Sequence, residues 1–455
     1  MTATNFDKLG IAPKLLEIIG KLNFLVPTPI QLQSIPIAIE GKDIMGIAQT
    51  GTGKTLAFGI PMIQRLAKQN PPAGGKGLVI LPTRELALQV DEALFKIGKP
   101  LGLRTAILIG GESQYKQIRQ LKSNPHIIIA TPGRLIDHLE QGTAKLDTVS
   151  VLVLDEADRM LDMGFAPQIK RILQTVPAKR QTMLFSATMP EEIVNIAKSY
   201  MQLPVRVEVA PAGSTIAAIT QELFFVHKEG KLALLKNILN EYKGSVLVFT
   251  RTKFGAKKLA NSVRNMGHTA SEIHSNRSLN QRIEALAGFK LGKYRVLVAT
   301  DIAARGIDVI GIELVINYDL PEQPNDYVHR IGRTGRANHE GRAISFATIE
   351  QRFDVRAIER LIKKQLPVSP LPQSLAKQEV KEKYPSSFGG FKTPNREPQE
   401  SFGKRGRFRP ARAPKPLRSP YAKSKKHGRN VSRPWTNTGG GENGYFLKRN
   451  KKSSF

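Results

Sequence analysis

Two short segments hold residues whose types and spacing suit phosphate chemistry. Ala48-Gln-Thr-Gly-Thr-Gly-Lys-Thr55 follows an apolar run, Ile44 to Ile47, and precedes a stretch with helical periodicity. Gly51 and Gly53 let backbone N–H groups turn toward phosphate oxygens. Lys54 supplies a positive charge for β and γ phosphates, and the Thr55 hydroxyl can ligand Mg²⁺. The strict phosphate-loop pattern has Gly at position 48, where this chain has Ala. The second segment, Asp155-Glu-Ala-Asp158, directly follows the buried-type run Val151 to Leu154. Carboxylates at the carboxyl end of a buried strand lie where open α/β sheets place ligands. Asp155 can therefore reach a Mg²⁺ and Glu156 can orient or deprotonate a water. Phosphate loop and acidic pair together form the constellation of a nucleoside triphosphatase.

Such residues need rigid elements to aim them. Short aliphatic runs recur at Leu78–Leu81, Ala106–Ile109, Ile127–Ile129, Val151–Leu154 and Met183–Phe185. A second series follows at Val246–Phe249, Val296–Val298, Leu314–Ile316 and Ala343–Phe346. All-apolar runs alternating with amphipathic stretches predict buried parallel strands with crossover helices, an α/β architecture. The small-residue segment 209–218, containing Pro211 and Gly213, reads as a linker between two such domains, residues 1–208 and 219–368. Phe353 to Leu366, stopped by Pro367, is expected to be the closing helix of the second.

Composition bounds the partner. The 455 residues include 69 Lys and Arg against 38 Asp and Glu, a formal charge of +31, which makes a nucleic acid or another polyanion the first partner to consider. Length alone gives a soft prior of about three units. Zero cysteine excludes disulfides, thiolate zinc sites and thiol nucleophiles. No run approaches the roughly 18 apolar residues of a membrane span, and the start lacks a secretory apolar core, so a soluble, cytoplasmic protein is expected. Residues 401–455 hold 16 Lys and Arg and one acid, Glu442, hence +15 of the +31. From about Ser369 the chain mixes Arg, Gly, Pro, Ser and Lys with scattered rings such as Phe402, Phe408, Tyr421 and Trp435. The expectation is a disordered basic tail, residues 369–455, that contacts single-stranded nucleic acid through cations and rings.

The order and spelling of the motifs resemble those of the DEAD-box RNA helicases. Beyond the two segments above, the resemblance rests on Pro82-Thr-Arg-Glu-Leu-Ala87, Gly110-Gly111, Thr131-Pro-Gly-Arg134, Ser186-Ala-Thr188, Ala299 to Asp308 and His329-Arg-Ile-Gly-Arg-Thr-Gly-Arg336. It covers about 365 residues. Leu161-Asp-Met-Gly-Phe165 and the basic tail resemble the bacterial RhlE type within that family. The implied fold is two tandem RecA-like domains, and the implied activity is ATP-dependent separation of short RNA duplexes or remodelling of RNA–protein complexes. ATP, Mg²⁺ and RNA are the implied ligands, and ribosome assembly and RNA decay the typical settings.

The resemblance also assigns roles. Asn23-Phe-Leu-Val-Pro-Thr-Pro-Ile-Gln31 resembles the Q motif, with Asn23 for the usual Gly and Phe6 17 residues upstream. A Gln amide matches the donor and acceptor edge of adenine, so Gln31 is expected to select ATP while Phe6 stacks on the base. Ala48, Gln49, Thr50, Gly51, Thr52, Gly53, Lys54, Thr55 and Asp308 complete the implied nucleotide contacts, with Thr55 and Asp155 on Mg²⁺. Lys54, Asp155 and Glu156 act in catalysis together with Arg333 and Arg336, arginine fingers from the second domain that require closure of the domains. Asp158, Ser186, Thr188 and His329 couple hydrolysis to unwinding. Pro82, Thr83, Arg84, Gly110, Gly111, Thr131 and Arg134 are implied to line the RNA path of the first domain. Thr250, Arg251, Asn276, Arg277, Gln281, Arg282 and Thr300 line that of the second. Hydroxyls, amides and arginines suit sugar and phosphate, which set position without reading sequence. Two other readings stay open, a DNA-translocating motor and a passive RNA chaperone with a nucleotide switch.

Overall fold

The computed structural model describes residues 5–49, 51–68, 75–209, 219–301, 312–335 and 341–372. The first domain holds β1 (Ile44–Ile47), β2 (Lys76–Ile80), β3 (Thr105–Leu108), β4 (Ile127–Ala130), β5 (Val149–Leu154), β6 (Gln181–Ser186) and β7 (Val205–Glu208). They form one sheet in the order β3-β4-β2-β5-β6-β1-β7, every pairing parallel. The second domain holds β8 (Ile219–Phe225), β9 (Val246–Phe249), β10 (Ala270–Ile273), β11 (Val296–Ala299), β12 (Leu314–Asn317) and β13 (Gly341–Ala347). Its order is β10-β11-β9-β12-β13-β8, again all parallel. Numbering each sheet from its own first strand gives the same order, 3-4-2-5-6-1, with β7 added to the first. Both faces of each sheet are covered, which is why β4, β9, β11 and β12 are buried at every residue.

The helices that position the candidate residues are α1 (Pro13–Lys21), α2 (Pro29–Ile39), α3 (Lys54–Ala67), α4 (Arg84–Gly98), α5 (Gln114–Lys122), α6 (Pro132–Glu140), α7 (Ala157–Asp162), α8 (Ala166–Thr175) and α9 (Glu191–Tyr200) in the first domain. In the second they are α10 (Lys231–Glu241), α11 (Lys253–Asn265), α12 (Leu279–Lys290), α13 (Pro324–Ile331) and α14 (Arg352–Ile362). α14 is shorter than expected: Lys363 turns left-handed at φ 54°, and Leu366 N–H then bonds the Glu359 carboxylate at 2.9 Å. Leu366 still reaches the core, and the described chain runs on to residue 372, with Ser369 N–H donating to Leu223 O. The remaining tail, and 210–218 of the expected linker, lie outside the described residues. No helix among the described residues is long and apolar enough to cross a membrane.

Candidate nucleotide site and RNA path

The phosphate loop joins β1 to α3. Gly51 at φ 86° and Gly53 at φ 90° occupy the left-handed region that glycine enters without cost. Ala48, unlike them, is no left-handed residue, and its N–H donates to Ser186 O at 2.9 Å, prolonging the β1–β6 ladder. A methyl is therefore tolerated where the strict pattern has Gly. The Lys54 ammonium, 5 % exposed, donates to Ala48 O at 3.0 Å and lies 3.6 Å from Asp155 Oδ1. Thr52 Oγ1 donates to Gln49 O at 2.7 Å, closing the loop on itself.

The Q-motif segment is bolted to this loop. Asn23 takes φ 60°, the left-handed conformation its usual Gly would adopt and that Asn tolerates better than most residues. Thr28 and Gln31 form a capping box at the start of α2. Thr28 N–H donates to Gln31 Oε1 at 2.9 Å, and Gln31 Nε2 donates to Gly53 O at 3.0 Å. A Cβ on Gly53 would stand 2.5 Å from that Nε2, so the close approach requires glycine. By valence the amide keeps a second N–H and a second lone pair for a ligand. Phe6 is 5 % exposed and packs in the core of the first domain.

The acidic motif sits at the carboxyl end of β5. Asp155 is buried, and burial raises its carboxyl to about pH 6 even though Lys54 pulls it down. Glu156 has φ 53° and ψ 48°, a left-handed non-glycine residue at the strand-to-helix turn. Strain of this kind persists where surrounding contacts hold it. Here Glu156 N–H donates to Asp155 Oδ1 at 2.9 Å and Arg159 binds Glu156 Oε2 at 2.9 Å, both partners buried. Asp158 ties α7 to the end of β6. Its Oδ2 accepts from Ala187 N–H, Thr188 N–H and Thr188 Oγ1 at 3.1, 2.8 and 2.9 Å, and its own N–H donates to Ser186 Oγ at 3.1 Å.

A cleft is lined by Arg159 of the first domain together with Phe249, Asp301, Asp326, His329, Arg330 and Arg333 of the second. His329 Nδ1 lies 3.9 Å from Asp326 Oδ1. Arg330 has no role expected from the sequence, yet it organises this wall. It binds Asp301 through two bonds of 2.5 and 2.6 Å, donates to Asn317 Oδ1 and Asp319 O, and stacks 5.0 Å from the Phe249 ring centroid. Arg333 is buried beside it. Thr50, Asp308 and Arg336 lie outside the described residues.

The residues expected on RNA gather at the carboxyl ends of β2, β3 and β4 and of β9, β10 and β11, the same flank of both sheets. In the first domain the Arg84 guanidinium packs on Gly110 and Gly111, where a Cβ would approach it to 2.8 and 2.5 Å. Thr83 caps α4 by accepting from Leu86 N–H, and Arg134 reaches Glu112 O and Asp137. Pro82 and Thr131 are buried beneath them. A network unseen from sequence braces this loop: Gln117 Nε2 donates to Ile109 O at 2.9 Å, and its Oε1 meets His138 Nε2 at 3.1 Å. Burial pushes His138 below its ordinary pKa, favouring a neutral ring. In the second domain Thr250 and Thr300 are buried at the ends of β9 and β11, while Arg251 and Asn276 are exposed. Arg251 nonetheless donates to Leu320 O, and the others also have partners within the protein. Arg277 binds Glu272 at 2.6 Å, Gln281 accepts from Ser278 N–H to cap α12, and Arg282 pairs with the buried Glu85 of the first domain at 2.8 Å. The Ser-x-x-Gln spacing signals the Gln281 cap in the sequence; the partner of Arg282, 197 residues away, leaves no such signal.

Residues 28–196 match the DEAD/DEAH box helicase family and residues 230–338 the helicase conserved C-terminal domain. The DEAD-box ATP-dependent RNA helicase CshA of Geobacillus kaustophilus is 44 % identical over 364 residues, 80 % of this chain and 78 % of that protein. The chain belongs to the DEAD-box ATP-dependent RNA helicases. The ATP-dependent rRNA helicase RRP3 of Debaryomyces hansenii is 43 % identical over 370 residues, 81 % of this chain and 77 % of that one. Among solved structures, Mss116p bound to single-stranded RNA and AMP-PNP aligns over 84 % of this chain and 82 % of its own at TM-score 0.75 and 28 % identity. S. cerevisiae Dbp5 bound to RNA and ADP BeF3 aligns over 84 % and 99 % at TM-score 0.73 and 31 % identity. This helicase therefore has two RecA-like domains, uses ATP and has RNA as its partner. The residues present fit a nucleotide: a glycine cradle, a buried ammonium at its base, and a carboxylate whose burial leaves it short of positive charge.

Proposed function

We propose that this helicase hydrolyses ATP with Mg²⁺ to separate short RNA duplexes or remodel RNA–protein complexes by local strand separation, and that it does so in the cytoplasm. The observation that carries the reading is the cleft shared by Arg159, next to catalytic Glu156, and Arg330 and Arg333 of the second domain. A site completed from two domains makes hydrolysis depend on their closure. Bound ATP supplies the phosphoanhydride and its Mg²⁺ the Lewis acid. Within the chain, Lys54 leaves Ala48 O for the phosphates, Thr55 and Asp155 hold the metal, and Glu156 takes the proton of the attacking water. Arg333 and Arg336 oppose the charge that develops. Phe6 and Gln31 hold adenine, with the phosphate-loop residues 48–55 and Asp308 on the rest of the nucleotide. Asp158, Ser186, Thr188 and His329 carry the change to the RNA path. That path is formed by Pro82, Thr83, Arg84, Gly110, Gly111, Thr131 and Arg134 with Thr250, Arg251, Asn276, Arg277, Gln281, Arg282 and Thr300. The domain bounds 1–208 and 219–368 belong to the same proposal, as does the basic tail from 369 as an RNA tether. Among settings, ribosome assembly and RNA decay both suit a helicase without base readout, and the rRNA helicase named among its relatives favours the first.

The test is displacement of a labelled strand from a duplex of about one helical turn, with ATP, with a non-hydrolysable analogue and without nucleotide. Hydrolysis-dependent displacement that Arg333→Ala reduces at least tenfold, with ATP binding retained, is the expected result. Equal displacement in all three reactions would instead indicate a passive chaperone, and equal stimulation by DNA a DNA motor.

A further inference from the structure

Two helices leave the expected RNA loops carrying exposed faces that nothing above uses. α5 follows Gly110-Gly111, and α11 follows Thr250-Arg251. On α11, Ala256, Leu259, Ala260 and Val263 are buried, so positions 254, 257, 258 and 261 form the outer stripe. That stripe is Phe254, Lys257, Lys258 and Asn261, with the Phe254 ring 70 % exposed and Lys253 Nζ 5.4 Å from its centroid. On α5, Gln117 is buried and Leu121 packs against the core, leaving Tyr115, Lys116, Arg119 and Lys122 outward, Tyr115 being 71 % exposed. Neither helix contains an Asp or Glu. Some exposed cations on other helices sit beside acids one turn away, as in Glu17–Lys21 and Glu92–Lys96, each 2.6 Å, whereas Lys116, Arg119, Lys257 and Lys258 have no acid on their own helix. An exposed large ring is also a poor choice for a merely solvated face.

From these features we infer that the outer faces of α5 and α11 bind single-stranded RNA where it leaves the central path, with bases stacking on Tyr115 and Phe254 and phosphates on the adjacent cations. Charge complementarity commits the occupant: an acid-free stripe with a ring at its loop end suits a sequence-tolerant polyanion with π faces. The inference rests on the proposed RNA path, because each face opens from a loop assigned to it. It gives the enzyme a footprint longer than the strand its central groove holds, so RNAs confined to that groove do not sense the two faces.

The experiment uses the full chain. Its only Trp is Trp435, so Phe254→Trp in a Trp435→Phe background places a single reporter on α11. Uridine oligomers of 6 and 20 nucleotides are titrated with a non-hydrolysable ATP analogue, and ATPase stimulation is measured alongside. Strong quenching by the 20-mer and little by the 6-mer, with both stimulating ATPase, is expected. In the unlabelled chain, Phe254→Ala should weaken 20-mer binding about tenfold. Lys257→Gln with Lys258→Gln should flatten its log–log salt slope by about 1.4. Stimulation without quenching, and with an unchanged slope, would overturn the inference while leaving the proposed function intact. Absence of stimulation by either oligomer would overturn both.

Discussion

Asp155, proposed to hold Mg²⁺, is buried against the preference of its charged form. Its carboxyl stands at about 6 rather than near 4 because burial opposes its charge more than Lys54 supports it. The sign follows from a raised carboxyl pKa. The protonated form is the comfortable one, so Asp155 favours the fold below about pH 4 and loses that contribution as pH rises through 6. Metal binding needs the opposite form. The free-enzyme profile, kcat/KM for ATP, is therefore expected to fall as pH drops from 7.5 through 6. Asp155→Asn should abolish hydrolysis while leaving the nucleotide-free protein at least as heat-stable as wild type at pH 7.5. A flat kcat/KM between 7.5 and 5.5 would remove Asp155 from the role given to it. The residues proposed for this chemistry are legible because type and spacing expose them: Lys54 behind its glycines, Asp155 and Glu156 behind a buried strand. Arg330 and Glu85 are not, because their meaning lies in partners, Asp301 and Arg282, that only folding brings near.

Among the elements, strands buried on both faces announce themselves, while of the four edge strands only β3, with its run Ala106–Ile109, does so. Three strands have no clear signature in the sequence, β7, β8 and β10, and all three are sheet edges. Their sequences, Val-Arg-Val-Glu, Ile-Thr-Gln-Glu-Leu-Phe-Phe and Ala-Ser-Glu-Ile, carry polar residues that break the all-apolar run by which the other strands are recognised. The end of α14 is hidden for a similar reason. Pro367 marks where a helix cannot continue, but the left-handed turn at Lys363 ends it earlier and has no comparable sequence mark. Loop geometry also yields a test. Gly111 has φ 81° and a Cβ there would come within 2.5 Å of the Arg84 guanidinium, so Gly111→Ala both strains the backbone by about 1–2 kcal/mol and displaces Arg84. RNA affinity should fall about tenfold with ATP affinity in the absence of RNA unchanged. Loss of both together would mean that the substitution damages the domain rather than its RNA-facing edge.

At the scale of the whole molecule, charge and topology divide the work. Residues 401–455 carry +15 and none of the motifs, so their deletion should weaken RNA binding and flatten its salt dependence, by roughly 0.7 in slope for each phosphate the tail neutralises. The maximal RNA-stimulated ATPase rate should survive. An unchanged slope in a salt titration would take the tail out of the RNA account. The +31 of the full chain points to a class of partner, and only the ordered motifs point to a reaction. The shared strand order of the two sheets has a different implication. The chain is two copies of one architecture, and each supplies part of the cleft lined by Arg159, Arg330 and Arg333. Joined in one chain, the halves meet at an effective concentration near the millimolar range. Cut between Val209 and Ile219, they would meet only as separate solutes. Catalysis would then become second order in protein, and turnover would report how often two strangers collide.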